Sequence, residues 1–354
     1  MNFKKTLKLL APYGLIKWIS KKDTIVIELV NTPPLKYTRP LYDTVVSMQG
    51  FGVSGHTALV DLLREYSVCT TPVNKDMNAD SIEMDFVRLS GGLLEIEKYI
   101  ESSNVFHNDA LIHRFIQQFE RFPIFQLNEI CKSELDIFFS RIIDFEIKGL
   151  SCPFYNSNLQ DPLLHNKSIY FLKKMNITDY RNICREFLTN VFNSIHIKGK
   201  SILLMDHLFT DMELDSKRDK EYVSNMKTIL VTRDPRDVYE TAKLKKFEWI
   251  PYDDVVSFVK WVKAMYRNYD PNNLDYLIIR FEDLVSDYDK TVSQIESFIG
   301  LTPDQHVYKY ARLDPNKSIK NIGLWKNSSD VDGNSYIEKE LPHLCYYPER
   351  LELK

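Results

Sequence analysis

The stretch that decides the fold runs from residue 50 to 57 and reads Gly50-Phe51-Gly52-Val53-Ser54-Gly55-His56-Thr57. It follows the phosphate-loop pattern G-x-x-x-x-G-K-[ST], except that His56 stands where the pattern has lysine. Such a loop binds phosphate oxygens through successive backbone N–H groups and a helix N-terminus, and its lysine reaches the β- and γ-phosphates of a nucleoside triphosphate. A loop without this lysine predicts a phosphorylated ligand other than ATP or GTP.

Both flanks of the loop fit this interpretation. Residues 43–48 form a short β-branched run that is typical of a buried strand. After the loop, apolar residues from Ala58 to Tyr66 recur at spacings of three and four, as on one face of a helix. The glycines therefore lie between a predicted strand and a predicted helix, which is the context that the motif requires.

The rest of the chain alternates between predicted strands and helices. Apolar runs without polar alternation predict buried parallel strands at 44–48, 201–205, 228–232 and 276–280. Apolar residues at helical spacing predict helices at 235–247, 253–269 and 288–299. This alternation predicts an α/β fold, a P-loop-type three-layer sandwich with a central parallel sheet.

Two segments depart from that alternation. Residues of about 70 to 199 carry amphipathic patterns at 111–119, 129–143 and 180–195 and predict a large, mostly helical insertion in a single domain of residues 41–354. Residues 1–40 form a basic N-terminal segment in which lysines alternate with apolar residues. This segment predicts either peripheral contact with an anionic membrane or a solvated basic arm, and it lacks the long apolar core of a signal peptide.

Composition narrows the class of protein. With 354 residues, 44% of them hydrophobic, and a net charge of −3, the chain is an ordinary globular protein without the basic field that nucleic-acid binding needs. Its five cysteines are odd in number and form no C-x-x-C pair, which disfavours a disulfide framework and a zinc site. We expect a reducing compartment, with the protein either free in the cytoplasm or peripheral at the inner face of a membrane.

A second anion site is predicted where the strand at 228–232 ends. Asp234 suits a helix N-cap and Pro235 the first helical position, so a helix begins there. Ligands of open α/β sheets bind at this carboxyl edge, where Arg233 could hold an anion and Thr241, about two turns into the helix, could add a hydroxyl. The alternative is that Arg233 pairs with Asp237 in a surface network, which is common and weakly stabilising.

Four segments, taken in order, resemble the landmarks of sulfotransferases that use 3′-phosphoadenosine 5′-phosphosulfate (PAPS). They read GFGVSGHTALVDLL, ILVTRDPRDVYET, YLIIRFEDLVSDYDKTVSQIESFIGL and IKNIGLWKN. The resemblance implies that the loop binds the 5′-phosphosulfate, with Ser54, Gly55, His56 and Thr57 closest to it. It also implies that Arg233 and Thr241 bind the 3′-phosphate, with Lys320 as the nearest C-terminal base for it, and that Trp325 and Lys326 belong to the PAPS-binding residues.

The resemblance also implies a catalytic base. His207, just after the strand at 201–205, would accept the proton of an attacking hydroxyl, with His56 as its competitor. Many members have a basic residue where this chain has Val53, so we expect His56 or Lys326 to supply that charge. No metal is expected, because no cluster of histidine, cysteine and carboxylate residues has ligand spacing along the sequence.

The predicted reaction is transfer of a sulfuryl group from PAPS to a hydroxyl of an acceptor. A saccharide or glycolipid is favoured, since the long insertion carries many aromatic residues, which either stack on sugars or form core. Two alternatives stay open at this point: an atypical P-loop kinase, and a catalytically silent nucleotide-binding protein.

Overall fold

The structure is a computed structural model that describes residues 26–29, 33–35, 38–72, 79–102, 115, 119, 129–148, 168–209 and 215–347. The chain divides into two compact units. The first contains the described residues of Met1–Lys36 and Leu94–Phe187, and the second contains those of Tyr37–Leu93 and Leu188–Lys354. The predicted division into a basic segment at 1–40 and one domain at 41–354 stays a prediction, and most of the basic segment lies outside the described residues.

The described strands and helices follow one another along the chain. The strands are β1 (Val26–Leu29), β2 (Thr44–Gly50), β3 (Cys69–Thr70), β4 (Ile143–Lys148), β5 (Ser168–Leu172), β6 (Ile202–Asp206), β7 (Met226–Thr232) and β8 (Tyr276–Arg280). The helices are α1 (His56–Leu63), α2 (Ala79–Glu101), α3 (Glu129–Ile142), α4 (Ile177–Ser194), α5 (Ser216–Tyr222), α6 (Pro235–Lys245), α7 (Val255–Met265), α8 (Phe281–Ser286), α9 (Tyr288–Ile299), α10 (Pro315–Ser318) and α11 (Val331–Glu340).

The second unit is built on a parallel sheet of five strands in the order β3-β6-β2-β7-β8. This confirms the predicted α/β fold with a central parallel sheet, and the predicted strands at 44–48, 201–205, 228–232 and 276–280 all belong to it. The register pairs Met48 with Asp206 and Thr232 with Arg280. The carboxyl ends of β2, β6, β7 and β8 therefore meet at one edge of the sheet.

Apolar side chains cover both faces of this sheet, which explains the absence of polar alternation in its strands. On one face, Ile229 and Val231 of β7 belong to a core cluster with Leu59 of α1 and Ile295 of α9. On the other face, Leu230 packs in a cluster with aromatic and apolar residues that include Phe51, Met265, Tyr266, Tyr269 and Tyr276. Consecutive residues of β7 thus face opposite layers, as a buried strand requires.

The first unit contains an antiparallel sheet in the order β1-β4-β5. Strands β4 and β5 lie inside the segment that was expected to be mostly helical, and the sequence analysis missed them. Helix α3 confirms the prediction at 129–143, whereas the predicted helix at 111–119 lies outside the described residues except for Phe115 and Phe119. These two rings pack on each other, and Phe115 also packs against Phe138 and Phe139. All four rings are buried and form core.

Among the described residues, no helix combines the length and the apolar character that crossing a membrane requires.

Candidate functional site

The glycine loop joins β2 directly to α1, at the carboxyl edge of the sheet, as the sequence predicts. It is tightly folded, because a Cβ added to Gly50 would lie 2.0 Å from the Oγ of Ser54. Gly55, the N-cap of α1, has a φ of 91°, and an added Cβ there would lie 2.4 Å from the ring of Phe281. Glycine is therefore needed at both positions, for close approach and for the left-handed backbone.

Val53 lies at the tip of this loop with a φ of 54°. A positive φ is a rare conformation for a β-branched residue, and strained residues of this kind concentrate at functional sites. Its backbone carbonyl accepts a hydrogen bond from Nη1 of Arg233 at 3.1 Å. Arg233, which follows β7, thus places a cation beside Val53, and the expectation that His56 or Lys326 supplies the charge stays a prediction.

Arg233 follows β7 and is almost completely buried, with 6% of its surface exposed. Besides Val53, its guanidinium donates from Nη2 to the carbonyl of Asn321 at 2.7 Å and lies 5.1 Å from the centre of the Phe281 ring. Burial lowers the pKa of Arg233, and nearby carboxylates, of which Asp237 has the largest effect, partly oppose this. Arg233 therefore joins the glycine loop to the C-terminal segment, and it does not lie in the surface network that was the alternative.

Helix α6 begins where the sequence predicts. Asp234 is its N-cap, accepting from the backbone N–H of Arg236 at 2.9 Å, and Pro235 occupies the first turn. The N–H of Asp234 in turn donates to Oε1 of Glu282, at 2.7 Å. Burial raises the pKa of the Glu282 carboxyl to about 7.

Asp237 of α6 binds the C-terminal segment through two hydrogen bonds. Its carboxylate accepts from the N–H of Gly323 at 2.7 Å and from the N–H of Trp325 at 3.3 Å. Parts of all four segments that carry the resemblance thus meet at one edge of the sheet: the glycine loop, the start of α6, Glu282 after β8, and the C-terminal turns.

Three of the residues predicted to bind PAPS have other contacts in the structure, and a fourth is exposed. The hydroxyl of Thr241 donates to the carbonyl of Asp237 at 2.6 Å, within α6. The ring of Trp325 packs 3.8 Å from the guanidinium of Arg236, and Nζ of Lys326 lies 5.8 Å from the same ring. Lys320 is exposed in a short 3₁₀ turn, Ile319–Asn321. Only Arg233 of this set contacts the glycine loop among the described contacts, and the binding roles of all five residues stay predictions.

The two predicted catalytic histidines lie side by side, with ring centres 4.5 Å apart. His207 follows β6 with a φ of 50°. Its Nε2 lies 3.2 Å from the carbonyl oxygen of Gly50, and its Nδ1 lies 2.5 Å from Oδ1 of Asp206. Both ring nitrogens of His207 therefore have protein partners, which disfavours this conformation for accepting a proton from a substrate.

Asp206, which the sequence analysis missed, connects the two histidines. Its Oδ2 lies 3.6 Å from Nε2 of His56. Burial alone would raise the pKa of Asp206, but its contacts with the imidazoles of His207 and His56 outweigh it and hold the pKa well below its usual range. One ligand atom from each of these three residues lies within 4.8 Å of the others. The only sequence signal was an Asp-His pair at the end of a predicted strand.

Several buried polar atoms around the loop lack a hydrogen-bond partner among the described residues. They include Oγ of Ser54, Nδ1 of His56, Nε of Arg233 and Oε1 of Gln49. Because nearly all buried polar groups in proteins are hydrogen-bonded, such a group of unpartnered atoms indicates a place for a ligand or for water.

Two tryptophans adjoin the loop and were not predicted as site residues. A Cβ added to Gly52 would lie 2.8 Å from the ring of Trp261 and 2.9 Å from that of Trp249. Trp249 is 59% exposed, so an apolar ring faces solvent next to the glycine loop. Nothing in the spacing of these residues along the chain connects them with residue 52.

No family model matches the chain, and a search of curated proteins found no matching sequence. Among solved structures, the fold is similar to the sulfotransferase domain of the Synechococcus PCC 7002 olefin synthase, at 13% identity and a TM-score of 0.39, over 88% of this chain and 98% of that one.

Two further structures are similar. Sulfotransferase STF9 from Mycobacterium avium matches at 12% identity and a TM-score of 0.34, over 85% of this chain and 76% of that one. The sulfotransferase domain of the curacin biosynthetic pathway matches at 15% identity and a TM-score of 0.28, over 51% of this chain and 70% of that one. At these scores the similarities support no argument about activity, so function must be inferred from the chain's own residues.

Proposed function

We propose that this protein is a sulfotransferase that moves a sulfuryl group from PAPS to a hydroxyl of a saccharide or glycolipid acceptor. The observation that supports this best is the contact of Arg233 with the glycine loop. Two anion-binding elements, one for each end of an adenosine 3′-phosphate 5′-phosphosulfate, adjoin each other at the carboxyl edge of the sheet, where ligands of such folds bind.

The residues around the loop fit a phosphorylated nucleotide that is not a triphosphate. The loop has neither the lysine of ATP-binding and GTP-binding loops nor a basic residue at Val53. It does offer backbone N–H groups at the start of α1 together with the unpartnered polar atoms of Ser54 and Arg233. A phosphate or sulfate oxygen would provide partners for these donors.

Binding of the 3′-phosphate requires a local rearrangement. Nη1 and Nη2 of Arg233 donate to the carbonyls of Val53 and Asn321, and a phosphate would compete with these neutral acceptors through stronger, charge-assisted hydrogen bonds. Lys320 precedes Asn321 in the same turn, and Thr241 needs only to rotate its hydroxyl. The C-terminal turn at 319–321 therefore moves when the nucleotide binds.

The acceptor class rests on the surface beside the loop. The exposed ring of Trp249 offers an apolar face next to the loop's Gly52, and an aromatic face of this kind contacts the C–H surface of a sugar ring while leaving its hydroxyls free. His207 as the base of the reaction stays a prediction. Its replacement by alanine is expected to abolish transfer and to leave nucleotide binding largely intact, and near-normal transfer would remove His207 from the mechanism.

The test is incubation of the full chain with radiolabelled PAPS and a panel of glycan, glycolipid and phenolic acceptors. We expect label on a saccharide hydroxyl. Trp249→Ala should raise the KM for that acceptor without changing the affinity for the donor. Donor binding with no label on any acceptor would indicate a silent nucleotide-binding protein. Stabilisation by magnesium ATP in preference to adenosine 3′,5′-bisphosphate would instead indicate a kinase.

A further inference from the structure

The cluster of His56, Asp206 and His207, here named the His–Asp–His cluster, lies at the foot of the glycine loop. His56 is the first residue of α1, directly after the loop. His207 contacts the carbonyl of Gly50, where the loop begins. The cluster therefore connects both ends of the loop, and its three ligand atoms come from two elements that are about 150 residues apart in the sequence but neighbours in the fold.

The contacts of His207 are compatible with a positive centre inside this cluster. The carbonyl oxygen of Gly50 can only accept, so Nε2 of His207 carries the hydrogen in that contact. In a neutral imidazole the other nitrogen then has a lone pair. This lone pair faces Oδ1 of Asp206, a carboxylate oxygen that can also only accept, at 2.5 Å. Two acceptors in contact need either a proton or a metal ion between them.

A metal ion fits the ligand types. Two imidazole nitrogens and one carboxylate oxygen are a set that suits zinc and similar transition metals, whereas magnesium and calcium prefer oxygen ligands alone. The N–H of His207 that donates to the Gly50 carbonyl is the outer contact that metal-binding histidines usually make, since it fixes the tautomer and the ring orientation. His56 and His207 lie on different oxygens of Asp206.

The distances are close to those of a zinc site. Ligand bonds of about 2.0–2.2 Å in a tetrahedral site place neighbouring ligand atoms about 3.3 Å apart. The contact between His56 and Asp206, at 3.6 Å, is already near this value. For an ion to bind, the distance between the ligand atoms of Asp206 and His207 has to increase. The largest distance between any two of the three ligand atoms, at most 4.8 Å, has to decrease. Side-chain movements of roughly 1 Å accomplish both.

A metal ion in the cluster would supply positive charge beside the glycine loop. A neutral histidine pair with an ionised Asp206 contributes no positive charge to a loop that lacks lysine. A divalent ion on one carboxylate leaves a net charge of +1, equal to that of the absent lysine. Three protein ligands also leave a fourth position for water or an anion oxygen. We propose that His56, Asp206 and His207 bind a divalent transition metal ion, for which zinc is the best fit.

The binding of the ion does not depend on the proposed sulfuryl transfer, but an ion on Nδ1 of His207 excludes His207 as the base of that reaction, and the test measures ion binding alone. The full chain is stripped with a chelator, dialysed, and titrated with Zn²⁺ and with Mg²⁺ by calorimetry. We expect one Zn²⁺ per chain and no heat with Mg²⁺. Asp206→Asn and His56→Gln should each weaken the affinity for Zn²⁺ at least about tenfold. His343→Gln, which alters an exposed histidine elsewhere, should leave the affinity unchanged.

The Co²⁺ form supplies a readout that does not need a variant to fold. Its visible absorption should show nitrogen and oxygen ligation without a thiolate charge-transfer band, which excludes binding by the cysteines. The proposal is overturned if the unaltered chain binds no Zn²⁺, if Asp206→Asn and His56→Gln bind it as tightly as the unaltered chain, or if the Co²⁺ spectrum shows thiolate ligation. Absence of Zn²⁺ binding would place a proton between His207 and Asp206.

Discussion

Glu65 and Asp206 are both carboxylates in contact with a histidine, and the difference between their surroundings distinguishes a structural site from a candidate functional site. Glu65 is fully buried. It accepts hydrogen bonds from Nε2 of His306 at 2.8 Å and from the backbone N–H groups of Tyr310, Arg312 and Leu313 at 3.2, 2.7 and 2.9 Å. Each carboxylate oxygen of Glu65 accepts two hydrogen bonds. These bonds hold the segment after α9 against the residues that follow α1.

The surroundings of Asp206 are incomplete by comparison. The carboxylate is partly exposed, with 23% of its side chain accessible, and its neighbour His56 has an unpartnered Nδ1. The backbone at His207 is in the left-handed region. Buried polar atoms without partners and strained residues lower the stability of the free protein. We expect a bound ligand to restore that stability by supplying the missing contacts. Mutations at the two carboxylates should therefore separate stability from binding.

The largest effect on stability is expected at the structural carboxylate. Glu65→Ala leaves His306 and three backbone N–H groups without their acceptor, and should lower the free energy of unfolding by about 3–5 kcal/mol. Urea denaturation measures this, with Glu65→Gln as the matched variant that keeps one acceptor oxygen. A loss below about 1 kcal/mol would break the comparison, because Glu65 would then not be the structural member of the pair.

A second stability effect depends on pH. The unfolded carboxyl of Glu282 titrates near its ordinary value of 4.5, but burial raises its pKa in the folded chain to about 7. The folded state thus prefers the protonated form, so the stability that this group contributes is fully present below pH 4.5 and is lost as the pH rises through about 7. The loss should be on the order of 2–3 kcal/mol.

Glu282→Gln tests this sign, because glutamine stays neutral and keeps the acceptor for the N–H of Asp234. We expect the variant to match the unaltered chain at pH 4 and to exceed it in stability at pH 8, measured by urea denaturation at both values. Equal pH dependence of the two proteins would show that Glu282 is ionised in the folded state throughout.

A smaller effect on stability is expected at the partly exposed carboxylate. Asp206→Asn keeps an acceptor for one histidine and removes a charge that water partly solvates, so the free energy of unfolding should change by about 1 kcal/mol in the presence of a chelator. The same urea series as for Glu65→Ala gives the comparison directly. Equal losses for the two variants would contradict the assignment of one carboxylate to structure and the other to the site.

The smallest effect concerns the hydroxyl of Thr241. A single neutral hydrogen bond to a phosphate contributes about 0.5–1.5 kcal/mol, so Thr241→Ala should weaken the binding of adenosine 3′,5′-bisphosphate about two- to tenfold. Thr241→Ser keeps the hydroxyl and should bind as the unaltered chain does. Calorimetry measures all three proteins, and equal affinities for alanine and serine would remove Thr241 from the 3′-phosphate site.

The sequence predicted the parts of the molecule that depend on local pattern. The strands of the parallel sheet were recognisable because both faces are buried, and the start of α6 was recognisable from Asp234 and Pro235. The antiparallel strands β4 and β5 lie in a segment where helical patterns dominate and were missed, although β4 alternates apolar and polar residues in the sequence IDFEIK. Such strands are fixed by pairing with one another, which a single sequence does not reveal.

The site was predicted where it follows from a motif and missed where it follows from tertiary contact. Arg233 and the loop were named from their positions after strands. Asp206 was missed because its partner His56 is distant in sequence, and Trp249 and Trp261 because their packing on Gly52 depends on how α6 and α7 lie on the sheet. The expectation that no metal takes part was based on spacing along the chain, which says nothing about ligands that the fold brings together.

The central claim is that Arg233 and the glycine loop bind the two anionic ends of one nucleotide. It is tested most directly by calorimetric titration with adenosine 3′,5′-bisphosphate and with adenosine 5′-monophosphate, which differ only in the 3′-phosphate. We expect the bisphosphate to bind at least about tenfold more tightly, as a charge-assisted arginine contact provides, and Arg233→Ala to abolish this difference, whereas Arg218→Ala preserves it. Equal affinities for the two nucleotides in the unaltered chain would contradict the account.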